Sequence, residues 1–225
     1  MDFQVFFKVN PAIYKKDPET SETGKKIISS SISMICKIGF EQFTFKKLAT
    51  DMHTTEATIY RYFESKHRIL LYILNWYWSY LEFLVIFRLQ NIDSPREKLK
   101  IIIDLVTGEL PATSGKDGYN LKFLNQIVIA ESSKVYLTRE VTAINKNEVF
   151  KPYKDLCATI AGVIQEYNPS YKYPRSLSTT IIEAAHQQQY FSVYLPRLTD
   201  AGEKKDAGFT HDFIRDLVYK ILDKK

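Results

Sequence analysis

Apolar positions recur along this chain at helical spacing, so the elements they predict are helices almost throughout. A strand-like alternation appears at Phe3, Val5, Phe7 and Val9, inside an extension covering residues 1–18. Asp17-Pro18-Glu19 then reads as a helix start, with Asp as N-cap and Pro at the first helical position. The helix it opens runs to about Ile38, turns Ile28, Ser31, Ile32, Ile35 and Cys36 inward, and meets its stop at Gly39. Phe45, Leu48, Ala49 and Met52 fall at i, i+3, i+4 and i+7, a two-turn helix behind Thr44 as N-cap. The pattern breaks at His53-Thr54-Thr55. It resumes with Ile59 and Phe63 as a buried face, which leaves Thr55, Glu56, Thr58 and Tyr62 pointing elsewhere.

After Ser65 comes the longest apolar run, Leu70 to Phe87. At about eighteen residues it approaches membrane-span length. Asn75, Ser79 and Glu82 interrupt it, and the expectation is a helix buried in a helical body, with no membrane as partner. Asn91 to Pro95 is a turn, and a helix from Pro95 places Leu99, Ile102, Ile103 and Val106 on one face. Gly108 to Gly118 reads as a loop and Tyr119 to Glu131 as a helix. Long helices follow over about 146–167 and 174–195, and Thr199 to Gly208 is a loop before a last helix from Phe209.

Two short helices around a tight turn, backed by a first helix, form a helix-turn-helix, whose second helix fits the major groove of DNA. Charge placement supports a polyanionic partner. The helix dipole disfavours cations in a first turn. Yet Lys46 and Lys47 open one helix, and Lys66 and Arg68 open another. Where such ends face phosphates, amides and cations act together.

Gly39-Phe40, Thr44-Phe45-x-x-Leu48-Ala49 and Thr58-Ile59-Tyr60-Arg61-Tyr62-Phe63-x-Ser65-Lys66 resemble the DNA-binding domain of TetR-type (TetR/AcrR) transcriptional regulators. The resemblance covers roughly residues 20 to 70. It departs at the turn, where His53 and Thr54 replace the usual small or glycine residue and the apolar one after it. A turn with positive φ would strain His53, although His is among the more tolerant types. The resemblance implies an all-α fold, with a three-helix helix-turn-helix head at 19–65 and a larger helical body at 66–225 for ligand binding and dimerisation. It places Thr55, Glu56, Ala57 and Thr58 at base edges, and Thr44, Tyr60 and Lys66 on the DNA backbone. The helix after Ser65 would link head to body, and two late helices would pair with their twins. For these we take the 146–167 and 174–195 helices, the second through Leu177, Ile181, Ala184, Ala185 and Gln188.

Composition adds bounds. The chain has 225 residues, 45% of them hydrophobic and 25% charged, which fits one or two globular domains. A net charge of +5 is compatible with nucleic acid without being diagnostic. Cys36 and Cys157 lack metal or redox spacing and read as reduced, buried thiols of a cytoplasmic protein. The start, Met1-Asp2-Phe3, has no basic leader, so no secretory signal is expected. The four histidines share no ligand spacing, and nucleophile-elbow, P-loop and paired-cysteine motifs are absent. The expectation is therefore no enzyme, no cofactor and no metal. Glu82, amid the aromatic run, is a candidate buried acid in need of a partner. Tyr80, Phe83, Phe87, Phe123, Tyr153 and His186 are candidate lining for an effector pocket. The implied function is a homodimeric repressor on a near-palindromic double-stranded operator, released by a small, largely apolar molecule. Two alternatives stay open: a helical ligand-binding protein whose head no longer binds DNA, and an enzyme or membrane-associated protein built around Leu70–Phe87. The extension at 1–18 reads as an arm reaching DNA or the partner subunit, or as a flexible terminus or apolar flap.

Overall fold

The computed structural model describes residues 7–108, 118–137, 139, 141–201 and 208–223. Among them are eleven α-helices and no strand, as the helical periodicity requires. The chain divides into two compact units, Met1–Ser79 with Leu110–Pro152, and Tyr80–Glu109 with Tyr153–Lys225.

In the first unit the extension is not strand-like among its described residues. Asn10 caps a 3₁₀ turn at Pro11–Ile13, and Asp17 caps another at Pro18–Thr20. The helix expected at Asp17 therefore starts later. Ser21 returns the backbone to an extended φ of −154° and caps α1 (Glu22–Gln42) by accepting from Gly24 N–H at 3.1 Å. Gly24 has to be glycine for packing, since a Cβ there would lie 2.3 Å from the Pro18 carbonyl oxygen. Gly39 does not end α1 but kinks it, at φ 76° and ψ 157°, and one more turn follows.

Two short helices, α2 (Phe45–Asp51) and α3 (Glu56–Tyr60), pack with α1 around Ile28, Ile32, Ile35, Phe40, Phe43, Phe45, Leu48, Ile59 and Phe63, all buried. Tyr62 is buried too, contrary to its expected outward position. The chain leaves helical geometry after α3, which turns this ring toward the Ser21 hydroxyl, 2.8 Å away. Cys36 is also misjudged: it is half-exposed, with its thiol donating to Gln126 Oε1 at 2.9 Å, whereas Cys157 is buried. Burial pushes the Cys157 thiol up to about 11.

The apolar run becomes α4 (Lys66–Leu89), whose residues to Ser79 belong to the first unit and the rest to the second. Its most apolar window is 72% buried inside the protein, the behaviour of a core helix. Burial is nearly continuous from Ile69 to Trp78, while Phe83, Ile86 and Phe87 are exposed and Glu82 is half-buried. Helices α6 (Leu121–Glu131), α7 (Ser133–Tyr136) and α8 (Val141–Asn145) complete the first unit.

The second unit holds α5 (Pro95–Thr107), most of α9 (Lys151–Tyr167), α10 (Pro174–Tyr194) and α11 (Phe209–Leu222). α9 starts later than residue 146 because Glu148, at φ 55°, breaks helical backbone before it. Leu177, Ile181 and Ala185, expected to face a second copy, are buried within their own unit, where α10 packs on α5 and α11. The apolar face of α9, with Leu156, Ile160 and Ile164, is covered likewise. The α9 residues were expected to be buried, and on α10 those three positions are thus used as core while Ala184 and Gln188 of the same expected face are half-buried. The apolar residues left exposed in this unit include Val193, Tyr194, Leu195 and Leu198 after and at the end of α10, and Phe213 and Ile221 on α11. The expected loops at 108–118 and 199–208 lie mostly outside the described residues.

Candidate nucleic-acid interface

The head presents its candidate residues through local capping rules. Thr44 caps α2, its hydroxyl accepting from Lys47 N–H at 3.2 Å. Thr55 caps α3, accepting from Thr58 N–H at 3.3 Å, and the two threonine hydroxyls lie 3.2 Å apart. Satisfying these N–H groups fixes where each helix begins and so which residues face outward. Thr55, Glu56 and Ala57 are exposed and Thr58 is half-exposed, on the side opposite the buried Ile59. Tyr60 is 47% exposed, and its ring meets Phe45 edge-on at 4.8 Å, which holds the hydroxyl at the surface.

Between the helices His53 has φ 53°, the left-handed geometry foreseen for the turn. The turn closes with His53 N–H on the Thr50 carbonyl at 3.2 Å and Thr54 N–H on the Ala49 carbonyl at 2.9 Å. The substitution of His and Thr for the usual small and apolar residues therefore leaves the turn formed.

The cations divide. Lys66 Nζ donates to the Phe40 and Glu41 carbonyls, both at 3.1 Å, and sits 4.7 Å from the Phe40 ring centroid. Lys47 Nζ donates to the Gln42 carbonyl at 2.9 Å. These two lysines close the carbonyl end of α1, a sound place for a cation at a helix C-terminus. Their position at other helices' starts is explained by this before any phosphate is invoked. The kinked end of α1 is also held from the other side: Glu131 accepts from Phe40 N–H at 3.1 Å and pairs with Lys134 at 2.8 Å, and Lys134 reaches Glu41 at 2.6 Å. Lys46 is exposed. Arg68 donates to the Ala12 carbonyl at 3.4 Å.

Arg61 is a residue that sequence reasoning passed over. It is exposed and donates to Thr58 Oγ1 at 3.3 Å. The signal was available: Arg61 follows Ala57 by four positions, on the same exposed side.

The candidate effector residues are less coherent. Phe83 and Phe87 stack at 5.9 Å on an exposed stretch of α4, with Phe87 62% exposed. Tyr80 is buried, and Tyr153 donates to Glu183 at 2.6 Å. His186 is fully buried, which pulls its pKa down to about 4 and keeps it neutral at ordinary pH. These five lie in one compact unit, whereas Phe123, half-buried, belongs to the other. Among the described residues no group of His, Cys, Asp and Glu is arranged to hold a metal ion.

Residues 27–73 match the family of bacterial regulatory proteins, tetR family. No curated protein sequence matches the chain. Several solved structures share the fold. A putative transcriptional regulator from Saccharomonospora viridis in complex with choline superposes with a TM-score of 0.63 at 17% identity, over 89% of this chain and 97% of that one. The fatty acid degradation regulator FadR from Bacillus halodurans gives 0.60 at 17% identity, over 90% and 96%. AibR in complex with isovaleryl coenzyme A and operator DNA gives 0.58 at 17% identity, over 91% and 100%. The segment at residues 27–73 is a tetR-family head, and the helical chain built behind it has the fold of TetR-type regulators.

Proposed function

We propose that this protein is a homodimeric transcriptional repressor, acting in the cytoplasm and without enzymatic activity, that is released from a near-palindromic operator by a small, largely apolar ligand. The observation that carries the reading is the pair of capped helices, α2 and α3, at a closed turn within the matched head. Thr55, Glu56, Ala57 and Thr58 approach base edges in the major groove. Thr44 and Tyr60 hold the DNA backbone, joined by Lys66 as far as its α1 carbonyls release a donor. Two heads about one helical turn apart then require half-sites at that spacing. The functional boundary at 65/66 separates this reader from the portion that responds.

The dimer forms through the exposed apolar residues of α11 and the end of α10, because the inner faces of α9 and α10 are core. Release needs a ligand that binds the DNA-free arrangement better than the bound one; equal affinity shifts nothing. The neighbouring structures hold choline in one case and isovaleryl coenzyme A in another, so fold alone does not choose the ligand's charge. An apolar ligand is favoured by the buried Tyr80 and neutral His186.

The test is selection of bound fragments from random and genomic duplex DNA at two salt concentrations. A near-palindromic site is expected, with Thr58→Ala changing the preferred bases and Lys46→Ala leaving them unchanged. Recovery of nothing above background would favour a ligand-binding protein with a silent head.

A further inference from the structure

The N-terminal extension is docked on the first unit as a strap. Val9 and Ile13 are buried, and the Phe7 ring meets Trp76 edge-on at 5.4 Å. Lys15 N–H donates to the Tyr62 carbonyl at 2.7 Å, Lys16 Nζ lies 5.2 Å from the Tyr62 ring centroid, and the Tyr62 and Ser21 hydroxyls are 2.8 Å apart. Tyr62 follows α3 by two residues, so these contacts fasten the strap beside the end of the reading helix.

The strap sorts its charges. Asp17 accepts from Glu19 N–H at 3.0 Å, and Glu19 accepts from the buried Tyr72 and Tyr119 hydroxyls. Its acids are engaged inside the unit. Lys15 and Lys16 are exposed, and neither has an ion-pair partner among the described residues. The Tyr62 hydroxyl is held below the usual tyrosine range by Ser21 first, then by Lys16 and Arg61. Arg61 in turn reaches Thr58. Cations thus follow from Arg61 at the end of the reading helix to Lys15 and Lys16 on the strap, while Asp17 and Glu19 are engaged by a backbone N–H and tyrosine hydroxyls.

We propose that Lys15 and Lys16, together with Arg61, form a second phosphate-binding element that takes the DNA backbone beside the groove read by α3. This rests on the DNA-binding function proposed above and names further residues for it. A phosphate contact is sequence-independent and releases counterions, so it reads out as salt dependence. A lysine that only rests on a tyrosine ring contributes to folding and nothing to that slope.

The experiment measures duplex affinity by fluorescence anisotropy over a salt series, on the selected site and on an unrelated duplex. Each lost phosphate contact should lower the slope of log K against log salt by roughly 0.9. Lys15→Ala/Lys16→Ala should therefore lower it by about two per protomer, weaken both duplexes alike, and lower the thermal midpoint by no more than the few degrees that one lost ring contact accounts for. Lys15→Arg/Lys16→Arg should restore the slope. An unchanged slope in the double alanine variant, with the wild type binding normally, overturns the strap assignment alone. A change confined to base preference overturns it as well. A wild type that binds no duplex overturns the function, and the strap assignment with it.

Discussion

The α2–turn–α3 segment and the late helices both expose side chains, but under different rules. In the head, exposure follows from backbone accounting. Thr44 and Thr55 accept the first N–H groups as caps, Ile59 and Phe63 go to the core, and the outward face this fixes has a set composition. On α11, Phe213 and Ile221 are exposed although apolar, and no local rule explains them. They lie eight positions apart, about 80° round the helix, along the edge of the stripe Ile214, Val218 and Leu222 that is core. Such an edge is open to another molecule. A surface built by local rules can thus be read one residue at a time. A surface meant for a partner emerges only when the core has claimed its share of the apolar residues.

The largest effect that would break this contrast concerns that second surface. Phe213→Asp combined with Ile221→Asp should give a monomer in light scattering and leave the far-ultraviolet helical signal intact. Operator affinity should fall by about two orders of magnitude or more, because a single head loses the gain from a tethered second one. A variant that remains dimeric would remove α11 from the interface and return attention to the end of α10.

Next in size is a buried group with no surface role. His186 titrates near its ordinary value, about 6.5, when unfolded, and only at about 4 when folded. Above 6.5 both states are neutral and the group has no effect. As pH falls from 6.5 to 4 the unfolded chain takes up a proton that the folded chain refuses, so folding stability is lost over that window, by up to about 3 kcal/mol. Chemical denaturation of wild type and His186→Gln at pH 7, 5.5 and 4.5 measures it. The difference between them should shrink or reverse toward acid as the wild type alone loses this contribution. A constant difference across the three values would mean that His186 does not titrate as a buried neutral ring.

How much of the molecule could be read from its sequence follows the same division. The head's two short helices, their caps at Thr44 and Thr55, the core and the left-handed turn were legible because each depends on neighbours within a few residues, whereas the start of α1 at Ser21 was not. α4 was legible as a buried helix because its apolar run admits few alternatives. Leu177, Ile181 and Ala185 of α10 were read as facing a second copy because Ala184-Ala185 suits a close helix neighbour from either the same chain or another, and periodicity cannot say which. Tyr62 was missed, and the extension stayed open between an arm, a flexible terminus and an apolar flap, for a related reason: the partners of residues 9–19 lie as far along the chain as Tyr62, Tyr72 and Tyr119. The Gly39 kink is an intermediate case, since glycine marked the place but not the geometry. Gly39→Ala would force a Cβ into φ 76°, ψ 157° with no clash, its nearest neighbour being Glu131 Oε1 at 4.0 Å. The cost is conformational, roughly 1–3 kcal/mol by urea titration. A loss below about 0.5 kcal/mol would mean that the kink relaxes without consequence.

The smallest expected effect sharpens the comparison at the head's most unusual position. His53 holds a left-handed φ of 53° between α2 and α3, where a side chain crowds its own backbone. Replacing it with glycine removes that crowding, worth about 1 kcal/mol, but frees the unfolded chain by a comparable amount. The net gain for His53→Gly is therefore at most about 1 kcal/mol, a shift of a few degrees or less in thermal midpoint. The turn's two closing bonds, from His53 N–H and Thr54 N–H, are backbone and survive the change. Operator affinity and base preference should then be unaltered, because the caps at Thr44 and Thr55 continue to set the two helices. If His53→Gly instead destabilised the protein by more than about 1 kcal/mol, the imidazole would be a support of the turn rather than a tolerated strain. If it changed base preference at unchanged stability, the exposed His53 ring would belong to the reading surface, and the boundary of that surface would move one residue into the turn.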